Sequence, residues 1–135
     1  MTRWTSGLGQ RSAAGFRIAA WGCVALLAVL SLLPAEEMVR TGVSGRIEHV
    51  MAYAGTAFLA GHGYRARGLG RVAAVLVVYA AGLELLQDFS PGRRSAIGDW
   101  LASSGGVLLG IGVAHLAPAF TRWTATAVQR GGPGG

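Results

Sequence analysis

Four apolar runs, separated by short stretches that hold nearly all the charge, leave this chain few folds to choose from. They cover residues 16–33, 47–64, 72–86 and 100–117. Apolar stretches near this length match the hydrocarbon thickness of a bilayer when coiled as helices. The chain is 52% hydrophobic and 13% charged. A soluble helical bundle would need a charged face on every helix. The first and third runs, FRIAAWGCVALLAVLSLL and VAAVLVVYAAGLELL, show no such stripe at 3.6-residue spacing. The expected fold is therefore all-α, a four-transmembrane-helix bundle formed by residues 16–118. Residues 1–15, polar and Gly/Ser-rich, read as a flexible tail, and residues 119–135 as a second tail ending in GGPGG. Pro34 and Pro118 are the expected stops of the first and last helices. A brief interfacial helix anchored by Trp123 is expected over 121–129. A cleaved signal peptide is the rival reading of the first run. The Pro-Ala-Glu-Glu that follows it is a poor small-x-small cleavage site, and a retained helix is expected.

The net charge of +6 comes from twelve arginines and no lysine. A basic chain can signal nucleic-acid binding. Here the arginines fall in separate clusters between apolar runs, with no basic stripe and no interleaved aromatics. No nucleic-acid partner is expected. The positive-inside rule accounts for the arrangement. The two tails and the second loop, including Arg17 at the edge of the first run, hold eight arginines: Arg3, Arg11, Arg17, Arg65, Arg67, Arg71, Arg122 and Arg130. The first and third loops hold Arg40, Arg46, Arg93 and Arg94, and all six acids lie on or near that side. Both termini are thus expected in the cytoplasm, with the acid-bearing loops facing outward. The single cysteine, Cys23, excludes an internal disulfide and any multi-cysteine metal site. No metal and no cofactor are expected.

Polar residues gather at the outward ends. Glu84 lies within the third apolar run, about 6 Å inside the helix end marked by Asp88, at the helical rise per residue. A carboxylate at such a depth is costly unless paired or functional. Gln87 shares its face. His49 and Tyr53, four residues apart, share a face at the start of the second run, and Asp99 and Ser103 do so at the start of the fourth. Arg93 follows the turn at Ser90-Pro91-Gly92 and could reach back to Glu84. Each residue also has a structural reading. Asp99 suits a helix N-cap, His49 an interfacial position, and Gly106 with Gly110 a helix-packing seam through which the chain could oligomerise. His62 and His115, near opposite helix ends, look interfacial.

The run ELLQDFSPGRRSAIGDWLASSGGVLLG, with its Glu-x-x-Gln, its Pro-Gly-Arg turn and an Asp before a Gly-x-x-x-Gly helix, resembles the signature of VanZ-like membrane proteins. RIEHVMAYAGTAFL resembles that family's basic-x-x-His-x-x-x-Tyr segment, and SLLP at residues 31–34 the end of its first helix. Together these motifs cover residues 16–117. Carried over position by position, the family's polar residues fall on Arg46, His49, Tyr53, Glu84, Gln87, Arg93 and Asp99. Two positions depart from the pattern: Gly45 stands where an acid is usual, and Ser103 where an Asn is usual. The resemblance implies a bacterial inner-membrane protein linked to the cell envelope, with low-level resistance to the glycopeptide teicoplanin for the founding type. It brings no agreed catalytic mechanism.

Two functions follow as expectations. One is a protein that binds or modulates without turnover, its outward polar site engaging a lipid-linked envelope precursor or a lipoglycopeptide. The other is a membrane-embedded enzyme acting on an envelope lipid or peptidoglycan precursor, with Glu84 or His49 as general acid or base and Arg93 stabilising anionic charge. The chain lacks a GxSxG elbow, an HExxH pair and a multi-acid cluster, so binding is the expectation preferred. Proton or ion movement through Glu84 is the third, and four helices with one deep acid offer little machinery for it.

Overall fold

The computed structural model describes the backbone of residues 4–37 and 42–130, and the side chains of residues 12–37 and 42–117. Among these residues there are four α-helices and no strand: α1 (Trp4–Leu32), α2 (Gly45–Gly63), α3 (Leu69–Gln87) and α4 (Ile97–Arg130). Short 3₁₀ turns, Ala35–Glu37 and Arg65–Arg67, follow α1 and α2. The segments Ser12–Leu32, Leu69–Gln87 and Ile97–Ala117 are long and apolar enough to cross a membrane. The side chains of Arg3, Arg11, Arg40, Arg122, Trp123 and Arg130, and the Gly-rich end, lie outside the described residues.

Side chains are distributed as bilayer solvent would require. The interior is rich in small residues, with Ala57, Val107 and Ala114 each at 0% exposure and Ala20, Ala60, Ala80, Thr56 and Ser103 buried beside them, while Leu27, Tyr53, Leu76 and Leu83 fill the remaining core. Large apolar side chains point outward, among them Ile18 at 75%, Val78 at 70% and Leu108 at 65%. Lipid tails solvate such side chains as well as protein does, so helix association rests on close van der Waals approach between small residues.

The least apolar helix, α2, lies at the centre, packed most extensively on α4 and next on α1. The α2–α4 seam is set by two glycines. A Cβ on Gly106 would meet the Val50 carbonyl, and one on Gly110 the Ala54 carbonyl. Both contacts are with backbone, which cannot swing aside. The Gly106/Gly110 face is therefore filled by α2 of the same chain. This corrects the expectation that the face could join two copies.

The first and last helices extend furthest beyond the expected runs. The first helix begins at Trp4, well before the expected start at Phe16. Once the apolar part of α1 is fixed, each further turn adds a hydrogen bond without a new nucleation cost, and the polar stretch before Phe16 continues it. The fourth helix begins at Ile97 and runs through Pro118 to Arg130, taking in the segment expected to form a separate interfacial helix. Proline removes the N–H that would bond the carbonyl four residues earlier, here that of Ala114. Arg65 supplies the missing donor: its Nη1 donates to Ala114 O at 3.1 Å and its Nη2 to His115 O at 3.3 Å. Freed backbone groups in apolar helices must find such substitutes.

Candidate functional site

The loop between α3 and α4 is held by two carboxylates, one in the last turn of α3 and one just past its end. Asp88 accepts the backbone N–H of Ser95 through Oδ1 at 2.6 Å and the Ser95 hydroxyl through Oδ2 at 2.8 Å. Glu84, four residues earlier, accepts the backbone N–H of Ala96 through Oε1 at 2.5 Å. Ala96 is the residue whose carbonyl takes the first N–H groups of α4, from Asp99 at 2.9 Å and Trp100 at 3.2 Å. In a capping box the third helical residue would reach back to that N–H. Here α3 provides the acceptor instead, and Asp99 turns to Arg46, whose Nε lies 3.6 Å from Asp99 Oδ1. Asp99 is thus the third helical residue rather than the expected N-cap, a position held by Ala96. Asp88 lies in the exposed loop, and the Ser95 N–H and hydroxyl, then Arg94, hold its carboxyl below the usual aspartate range.

The same loop docks on the end of α1. A helix leaves its last carbonyls without donors. Ser90 Oγ donates to Leu32 O at 3.0 Å, Arg93 Nη1 to Leu30 O at 3.5 Å, and the Ala35 N–H to Pro91 O at 3.2 Å. Arg93 also places its charge at the negative end of the α1 dipole. Gly92 turns the loop with φ 73°, a conformation that disfavours any side chain.

Between this docked loop, α1 and α2 lies a cleft of about 540 Å³. Its apolar wall is Leu27 and Leu30 from α1, Leu33 just after it, and Ala52 from α2. Its polar lining is Glu37, Glu48, His49, Tyr53, Ser31 and Arg93. The His49 and Tyr53 rings are parallel within 6°, their centroids 6.4 Å apart. His49 Nδ1 lies 3.0 Å from Ser103 Oγ. The Ser103 hydroxyl donates to the Asp99 carbonyl at 2.9 Å, so it can only accept from His49. That assignment protonates Nδ1 and leaves Nε2 as the basic nitrogen of the neutral ring.

Of the seven residues expected to share a site, His49, Tyr53 and Arg93 line the cleft. Arg46 and Asp99 form an ion pair beside it, with Arg46 largely exposed. Asp99 is linked to His49 through Ser103. Glu84 and Gln87, 6% and 3% exposed, are buried outside the cleft lining. Sequence reasoning missed Glu37 and Glu48 as cleft residues, and it treated Ser103 as a lost amide, whereas Ser103 orients His49. The Asp99/Ser103 spacing carried the signal for Ser103, and the adjacency of Glu48 to His49 a weaker one. Among the described residues no group of three or more His, Cys, Asp and Glu side chains is placed to hold a metal ion.

Comparison with known proteins finds no matching family, no matching curated protein and no matching solved structure.

Proposed function

We propose that this chain is a VanZ-like protein of the bacterial inner membrane, with four spans and both termini in the cytoplasm. In this reading its outward-facing cleft binds a lipid-tailed envelope molecule, either a lipid-linked precursor or a lipoglycopeptide such as teicoplanin, without turning it over. One observation carries the reading. The cleft joins a leucine wall to a polar end that holds two carboxylates, a guanidinium and an imidazole, a lining that suits a molecule with an acyl tail and a head rich in amides, hydroxyls and charge. The arginine bias between loops supports the orientation. The 19-residue length of α2 and its central position support a fourth span whose polar residues face protein rather than lipid.

The test is teicoplanin susceptibility with the gene deleted, strongly expressed, or carrying His49→Ala or Arg93→Ala, alongside binding of teicoplanin to the purified protein in nanodiscs. The reading expects susceptibility to change with expression and binding to weaken in both variants. Unchanged susceptibility under strong expression together with no binding refutes it.

The tautomer imposed on His49 by Ser103 favours a second reading, an enzyme on an envelope lipid or precursor with Nε2 as the general base. Conversion of such a lipid by purified protein, abolished in His49→Ala, would select it over binding.

A further inference from the structure

A second cleft of about 530 Å³ opens at the other end of the bundle, where α1, α2 and α3 meet. Its deep wall is apolar, made by Val24, Val72 and Leu76, and the Tyr79 hydroxyl there is already satisfied by the Val24 carbonyl at 2.6 Å. Its rim includes Trp21 and Val75, 63% and 67% exposed. Arg67 and Arg71 also line it.

The charge around this cleft is one-sided. Every Asp and Glu of the chain follows α1, opens α2, ends or follows α3, or opens α4, all at the opposite end. Among the described residues four arginines gather here, and two are committed to backbone. Arg17 Nε donates to Gly63 O at 2.7 Å, and Arg65 serves Ala114 and His115. Arg67 stacks over the Tyr64 ring at 5.8 Å, which uses the guanidinium face and leaves its N–H edge for an acceptor. Tyr64 is itself fixed, its hydroxyl accepting from Trp21 Nε1 at 2.8 Å and its ring lying under Arg17 at 5.2 Å. Arg71 is exposed and has no hydrogen-bond or ion-pair partner among the described residues.

We infer that this cleft is a binding site for an anionic phospholipid. The phosphate sits between Arg67 and Arg71, and one acyl chain lies along Val24, Val72 and Leu76. The occupant is set by charge complementarity. Among the described residues no carboxylate neighbours the cluster, so it favours an anion, and the apolar wall below it favours an anion that carries a chain. The inference needs the membrane-crossing helices and is independent of the ligand proposed for the first cleft.

Native mass spectrometry of the purified chain, released from micelles containing equal phosphatidylglycerol and phosphatidylcholine, tests it. Phosphatidylglycerol should be retained in preference, and the variant R67Q/R71Q should lose about tenfold or more of that retention. Val75→Trp, which fills the cleft without altering charge, should lower retention of phosphatidylglycerol as well. Arg94→Gln removes one such charge at the opposite end and should leave retention intact. An unchanged thermal melt establishes that each variant is folded, and Arg67→Lys/Arg71→Lys serves as the conservative counterpart that restores part of the retention. Equal retention of the two lipids, undiminished retention in folded R67Q/R71Q, or displacement of the lipid by millimolar inorganic phosphate would each overturn the assignment. The last outcome would indicate a site for free anions.

Discussion

The substitution of a side-chain donor for a missing backbone one, at Arg65 and Pro118, can be tested quantitatively. In Arg65→Ala the Ala114 carbonyl loses the donor at 3.1 Å, and His115 the one at 3.3 Å. A hydrogen bond from a charged donor contributes about 1.5–3 kcal/mol, and the exposure of Arg65 places the expected loss near the lower figure. In a Pro118→Ala background the helix supplies its own N–H to Ala114, so removing Arg65 should cost only about 0.5 kcal/mol, for the remaining hydrogen bond to the His115 carbonyl. The two substitutions should therefore couple by about 1 kcal/mol, above the roughly 0.3–0.5 kcal/mol within which independent sites add. Pro118→Ala alone should stabilise, since an interior proline is disfavoured by about 3 kcal/mol relative to alanine. Reversible unfolding in mixed micelles, followed by circular dichroism for the wild type, both single variants and the double variant, yields the cycle. Strict additivity would refute the idea that Arg65 acts through the proline-freed carbonyl.

Three further outcomes follow from the packing and the loop. Gly106→Ala and Gly110→Ala should each destabilise by about 1–3 kcal/mol, because their Cβ atoms meet the Val50 and Ala54 carbonyls. Gly112→Ala, with open space at its Cβ, should gain up to about 1 kcal/mol in the same micelle titration. Glu84→Ala should lose about 1–3 kcal/mol by orphaning the Ala96 N–H, while Glu84→Gln retains an acceptor and loses less. Because Glu84 lies outside the cleft lining, Glu84→Gln should also leave ligand binding there intact, unlike His49→Ala. The Asp88 carboxyl titrates lower in the folded chain than in the unfolded one. Its contribution is therefore complete above the unfolded value, about 3.9, and is lost as pH falls through the lower folded value. Unfolding followed from pH 6 to pH 2 should show this acid-side decline in the wild type and a flatter profile in Asp88→Asn; identical profiles would contradict it.

The interior of each helix was legible because an apolar run and a helix are both local. The run 47–64 corresponds to α2 and the run 72–86 to most of α3. The ends were less legible because what stops a helix is tertiary. Pro118 is a stop signal by local rules and is overridden by a guanidinium 53 positions earlier in the chain. The prominence of Glu84 was readable as a carboxylate in an apolar run. Its partner was not, since a backbone N–H carries no side-chain pattern. The spacing of Gly106 and Gly110 announced a close seam without naming the surface that fills it. His49, Tyr53 and Arg93 were found by shared faces and by the turn. The division of the expected site into a cleft and a buried loop clamp depends on how α1 and α2 lie against the loop, and no periodicity encodes that.

The interior, where alanine, glycine and serine hold the closest helix approaches while many leucines, valines and isoleucines face outward, bears on how such a chain can diverge. Substitutions among the large apolar residues on the outer surface exchange one lipid contact for another, so those positions can drift freely. A single added methyl at Gly106 or Gly110 meets a backbone carbonyl of α2 and pushes the two helices apart. Sequence divergence in this fold should therefore be fastest where side chains are largest and slowest where they are smallest, the reverse of what a water-soluble core imposes on its descendants.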